Sequence, residues 1–139
     1  MADSIRAGPP ASLLLPAHKP RIVIGELESG AAKLFVRQLR GFNVTLVRDE
    51  RNLLKQVAAE RFDAAIIGFL PSKYELSNLA RLVKEASIQK PLPLIWVTAR
   101  YEPVAEGKID ISPFFSLVQV PYDSETLVAA LENSLQNPK

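Results

Sequence analysis

A chain of 139 residues, 47% hydrophobic and 23% charged, has the length and composition of one ordinary folded domain, enough to bury a core on both faces of a sheet. The formal net charge is +2 and the basic residues are scattered, which speaks against the clustered positive footprint that nucleic-acid binders use to track phosphates. There is no cysteine, which excludes disulfides, thiolate metal sites and thiol nucleophiles and is compatible with a reducing cytoplasm, and no apolar run approaches the roughly 18–20 residues of a membrane span.

Residues 1–19 open the chain with Pro9, Pro10 and Pro16 and a short apolar patch, Leu13, Leu14 and Leu15, without the apolar stretch of about 7–15 residues that a secretory signal needs. The segment reads as a disordered Pro-rich arm whose leucines are either an unstructured leader or a docking patch for a groove of this domain or of a partner. His18 lies in it and reads as a solvated residue, not a ligand. Residues 20–139 read as the folded domain.

From Arg21 onward short apolar runs alternate with segments of helical spacing, the pattern of βα units around a parallel sheet. Five strands are predicted, at 21–25 (RIVIG), 42–47 (FNVTLV), 64–67 within DAAIIG, 94–98 (LIWVT) and 117–120 (LVQV), with the near-continuous apolar character of strands covered on both faces. The first helix is predicted from Ser29, as its cap, to a stop before Gly41, which supplies the left-handed conformation common after a helix. Ala32, Phe35, Val36 and Leu39 form its inward stripe, and Lys33, Arg37 and Arg40 its basic outer face. The second helix opens at Asp49 and buries Leu53, Leu54, Val57 and Ala58; the third, 74–86, buries Leu76, Leu79, Ala80 and Val83. The fourth is predicted short or absent, because Pro103, Gly107 and Pro113 interrupt the segment and no apolar stripe emerges. Phe114 and Phe115 that follow are read as core plugs or exposed anchors. The last helix follows Asp123 or Ser124 as cap and buries Leu127, Val128, Leu131 and Leu135.

In an open parallel sheet ligands collect at the carboxyl ends of the strands, which directs attention to Glu26, Leu27, Gly68, Thr98 and Val120. Here the chain resembles a family. FDAAIIG is similar to the third strand of the receiver (CheY-like) domains of bacterial response regulators, VTA to their fourth strand, VQVPYDSETL to their fifth strand and its turn, and RIVIGELES to their start. The intervals of thirty positions from Gly68 to Thr98 and twenty-two from Thr98 to Val120 are close to the family's, and the resemblance covers about residues 20–137. It implies a flavodoxin-like, (βα)5 three-layer sandwich with a five-stranded parallel sheet in the order 2-1-3-4-5.

The resemblance also places the family's reactive positions, and most are replaced. Gly68 stands at the phosphoacceptor aspartate, Val120 at the phosphate-pairing lysine and Leu27 at the second member of the acidic pair, of which Glu26 survives; Thr98 and Ala99 match the hydroxyl and the small residue that sense the phosphoryl group. Phosphorylation needs a carboxylate nucleophile, Mg²⁺ held by several oxygens and a cation to meet the added charge, so these losses imply a pseudo-receiver. Ser72, a loop serine without a base, is a poor substitute acceptor. The Val120–Pro121 bond matches a Lys-Pro bond that is usually cis in the family, and cis is predicted here.

The residues keep plainer readings beside these. Thr98 also reads as an ordinary strand-end threonine, Glu26 as a solvated carboxylate, and Tyr122 as either boundary packing or an interface anchor. Lys33, Arg37 and Arg40 read as a solvated face, or as a dock for an acidic helix or a cyclic dinucleotide. The function expected is a phosphorylation-independent response-regulator receiver in two-component signalling or a phosphorelay, a cytoplasmic adaptor that is not an enzyme and needs no cofactor or metal. Its expected partner is a kinase, a phosphotransferase, an output protein or a second copy, with no role for nucleic acid or membrane. The alternative is a module binding a nucleotide second messenger. A flavin carrier or enzyme on the same fold is disfavoured, because GELESGAA is acidic where a phosphate-cradling loop offers backbone donors.

Overall fold

The apolar runs become five strands, β1 Arg21–Gly25, β2 Asn43–Val47, β3 Ala64–Ile67, β4 Leu94–Thr98 and β5 Ser116–Gln119. Among the described residues four helices accompany them, α1 Ser29–Gln38, α2 Glu50–Ala59, α3 Leu76–Ala86 and α4 Ser124–Gln136. The computed structural model describes residues 19–70, 73–98, 110–120 and 122–136. All pairings are parallel and the strand order is β2-β1-β3-β4-β5, the predicted 2-1-3-4-5. The fourth predicted helix falls largely on 99–109, outside the described residues, as do the arm, Pro121 and its peptide bond.

Because successive strand residues point to opposite faces, each inner strand feeds two cores. Ile22, Ile24, Ala64, Ile66, Ile95 and Val97 pack with Phe35 and Leu39 of α1 and with Leu127 and Leu131 of α4. On the other face Val23, Ala65, Ile67 and Leu94 meet Leu53 and Val57 of α2 and Leu79, Ala80 and Val83 of α3. Each large side chain fully buried this way contributes about 1.5–3 kcal/mol, which is why the three layers hold together. Trp96 closes one margin by stacking on Phe114, with ring centroids 5.8 Å apart, so Phe114 is a plug packed on the core; Phe115 is half-buried beside it.

Several local expectations are corrected. The cap of α1 is Glu28, whose carboxylate accepts the Ala31 N–H, and Ser29 is already helical. A longer acidic side chain can make the reach that serine was expected to make, and its charge suits the positive end of the helix. The helix ends at Gln38 with Leu39 as cap (φ −108°), and Gly41 does not take a left-handed φ, because the Leu39 N–H bonds back to Phe35 O and the Phe42 N–H to Leu39 O, closing the turn without it. Val36 is 48% exposed, since the stripe that meets the sheet is Ala32, Phe35 and Leu39 only. Ala58 is exposed while Leu53 and Val57 fill that core, and α3 starts at Leu76, two residues after Tyr74. The expected caps Asp49 and Asp123 do accept N–H groups, of Asn52 and Thr126.

Candidate functional site

The carboxyl ends of β1 and β3 are tied together by backbone, Gly68 N–H donating to Gly25 O at 2.9 Å and Leu27 N–H to Phe69 O at 2.8 Å. Glu26, the first residue beyond β1, is therefore pulled under this junction. It is 3% exposed, not solvated as the plainer reading had it. One carboxylate oxygen accepts the Phe69 N–H at 2.9 Å and the other the Glu28 N–H at 2.9 Å. A buried carboxylate must be compensated, and here two backbone donors at the start of α1 and after β3 do it.

That placement explains Gly68. A Cβ built there would lie 2.0 Å from Glu26 Oε1, well inside contact, so a side chain at position 68 and the observed Glu26 carboxylate exclude each other. The space a residue-68 side chain would enter is filled by the neighbouring strand's glutamate.

The remaining aligned positions gather at the same edge. Thr98 ends β4 and is 7% exposed, and its carbonyl accepts the Val120 N–H at 2.8 Å, which brings Val120 over the sheet margin with 42% of its surface exposed. Leu27 is 39% exposed and points no polar atom at the site. Tyr122 is half-buried, its hydroxyl donating to Gln38 Oε1 at 2.9 Å and so bridging to α1. Burial, with the Glu26 charge adding to it, pushes the phenol above its ordinary value of 10.0.

The folded phenol thus keeps its proton to higher pH than the unfolded one. The stabilisation tied to this group is fully present below pH 10 and is lost as the pH rises from there through the raised value. Tyr122→Phe should cost about 0.5–1.5 kcal/mol near neutrality from the lost Gln38 bond. Urea unfolding should show the gap between wild type and variant narrowing above pH 10; a gap that widens would contradict the burial of this phenol.

Between these groups lies a cleft of about 270 Å³. Its walls are Ala31, Leu34 and Phe35 of α1 with Val97 and Val120, and Phe69, Tyr122, Glu26 and Glu28 complete it. Sequence reasoning had named Glu26, Val120 and Tyr122 but missed Glu28, Leu34 and Phe69. The signal for Glu28 was its position three before Ala31, the spacing of a cap; Phe69, 63% exposed, carried none beyond standing next to a glycine. The structure does not bring the basic trio to the cleft. Lys33 lines a separate groove of about 320 Å³ with Val36, Leu46 and Arg48, Arg37 is exposed, and Arg40 lies past the end of α1.

The Mg²⁺ that the resemblance would bring with it does not fit these residues. Both Glu26 oxygens are turned to backbone N–H groups, Leu27 and Gly68 offer no side-chain oxygen, and among the described residues no group of three acidic or histidine side chains is placed to hold a metal.

Comparison with known proteins agrees with this architecture. The chain is similar to the receiver domain of a sensor histidine kinase from Pseudomonas aeruginosa PAO1, solved with magnesium coordinated in its active-site cleft (TM-score 0.74, 18% identity, 87% of this chain and 100% of that one). It is likewise similar to a putative response regulator from Chloroflexus aurantiacus (TM-score 0.75, 21% identity, 86% and 99%) and to a sensor protein from Polaromonas sp. JS666 (TM-score 0.74, 25% identity, 85% and 97%). No protein-family model and no curated protein sequence matches the chain. The fold is that of receiver domains. Among the described residues no helix is long and apolar enough to cross a membrane.

Proposed function

We propose that this chain is a pseudo-receiver, a receiver-fold signalling module that is not phosphorylated, catalyses nothing and acts in the cytoplasm by binding a protein partner. The observation that carries this reading is the Glu26 carboxylate seated 2.0 Å from where a Cβ at Gly68 would be. The position aligned with the phosphoacceptor has no nucleophile, a side chain there would have to displace the Glu26 carboxylate, and each oxygen of that carboxylate accepts a backbone N–H. Val120 supplies no cation to meet a phosphoryl charge, and two carboxylates face the cleft where one would arrive. The same lining, free of lysine and arginine among the described residues, disfavours a nucleotide messenger there. The partner is a kinase, a phosphotransferase, an output protein or a second copy of the chain, meeting the face around β5, α4 and Tyr122.

The test is incubation of the full chain with acetyl phosphate and Mg²⁺, read by intact mass, beside affinity capture with wild type and Tyr122→Ala. The expected result is no gain of phosphoryl mass and a stoichiometric protein retained by wild type and lost by the variant. An acid-stable or acyl phosphate on any residue would end the phosphorylation-independent reading, and capture of the same set by both baits would remove Tyr122 from the binding face.

A further inference from the structure

The cleft over Glu26 has a lining that asks for a particular kind of occupant. Its walls are apolar and several of them are unusually open to solvent for such residues: Leu34 is 39%, Val120 42% and Phe69 63% exposed. A volume of about 270 Å³ is just below the roughly 300–1,000 Å³ of ligand sites, which suits a single ring system with a short tail. The two charged residues that line it, among the described residues, are both acids. Glu26 is 3% exposed, and among the described residues it is met by the backbone N–H groups of Glu28 and Phe69 and by no cationic side chain. Glu28 stands exposed at the mouth and spends one oxygen on the Ala31 N–H. A carboxylate has about four acceptor sites, so both retain capacity for a further donor.

The geometry points to this cleft as a binding site for a small hydrophobic amine, a compact apolar ring carrying a protonated amino group, with the ring between Leu34, Phe35 and Val120 and the ammonium at the Glu26 and Glu28 carboxylates. Charge complementarity selects the cation: an anion of the same shape would meet two carboxylates, and a neutral isostere would forgo a charge-assisted hydrogen bond. The apolar walls select the ring, because a hydrated ammonium alone gains nothing from them. This inference is independent of whether the chain is phosphorylated, and its test leaves that reading untouched.

The experiment is calorimetric titration of the full chain with three probes of one shape: tryptamine, its alcohol analogue tryptophol, and indole-3-acetate. Tryptamine should bind about tenfold or more tightly than tryptophol, and indole-3-acetate should not bind. Val120→Lys places a cation at the mouth from an exposed position, so it leaves the fold intact, which circular dichroism checks, and should weaken tryptamine at least tenfold while admitting indole-3-acetate. Glu28→Gln, which keeps the capping oxygen and removes the charge, should narrow the preference for amine over alcohol. Equal affinity for all three probes, or no binding at millimolar concentration, would overturn the site. So would a tenfold preference for a short Phe-Lys peptide over the free amine, which would assign the cleft to a partner chain instead.

Discussion

Gly68→Ala should destabilise the protein by roughly 1–3 kcal/mol, because the new methyl lands on Glu26 Oε1 and the carboxylate must swing aside from its two backbone donors. Moving it aside leaves the Glu28 and Phe69 N–H groups without their acceptor at a part-buried junction. The Tm should fall by on the order of 10 °C. A double-mutant cycle makes the cause visible. Glu26→Ala costs about 1–3 kcal/mol by itself, from the same two orphaned donors. In that background the alanine at 68 should cost almost nothing further, since the next neighbour of its Cβ is Phe35 Cε2 at an ordinary 3.4 Å. A coupling of at least 1 kcal/mol is therefore expected, and equal penalties in the two backgrounds would show that the glutamate and the glycine are not joined as described. The same logic says that Gly68→Asp is not a simple restoration of a phosphoacceptor. The aspartate would have to displace the glutamate first.

Phe35→Ala should be the costliest single change in the α1 layer, about 3–5 kcal/mol. The ring is 2% exposed, packs with Ile24, Ile66 and Leu131, and forms one wall of the cleft. Its loss leaves a void beside the cleft. Guanidinium unfolding should show a lower midpoint at unchanged slope. A penalty below 1 kcal/mol would mean that the cleft relaxes inward and is softer than its walls imply. Val36→Ala, one position on and 48% exposed, is the control and should be nearly neutral.

Much of the fold was legible because the relevant signals are periodic and local. Apolar runs of four or five residues with polar punctuation mark buried parallel strands whatever else the chain does, and all five were found with ends wrong by one residue at most. Ends moved where backbone hydrogen bonding decided them: Asn43 N–H is held by Pro20 O, which starts β2 after Phe42, and Val120 N–H by Thr98 O beyond the end of β5. Helix faces were read less well. Val36 and Ala58 satisfy the spacing of an inward stripe, but a helix lying on a flat sheet buries a narrower strip than periodicity alone suggests.

The candidate site divides in the same way. Reading Gly68 in place of an aspartate and Val120 in place of a lysine rests on the resemblance of FDAAIIG and VQVPYDSETL to receiver strands, so the proposed loss of an acyl-phosphate acceptor rests on residue types, before any coordinates. The fate of Glu26 does not. A carboxylate at a strand end is by default solvated, and nothing in GELES says that Glu26 folds inward to take the N–H groups of residues 28 and 69. One of those donors is 43 residues away along the chain, and the space the carboxylate needs exists because β3, its neighbour in the sheet, is followed by Gly68. The cleft is likewise a product of packing: α1, β4 and the residues after β3 and β5 meet at one edge, turning the scattered Leu34, Phe69 and Val120 into a single wall above a buried charge. Residue types thus carry the proposal of what this protein lacks. Only the tertiary structure decided what stands in that place, because contacts between strands depend on which strands become neighbours.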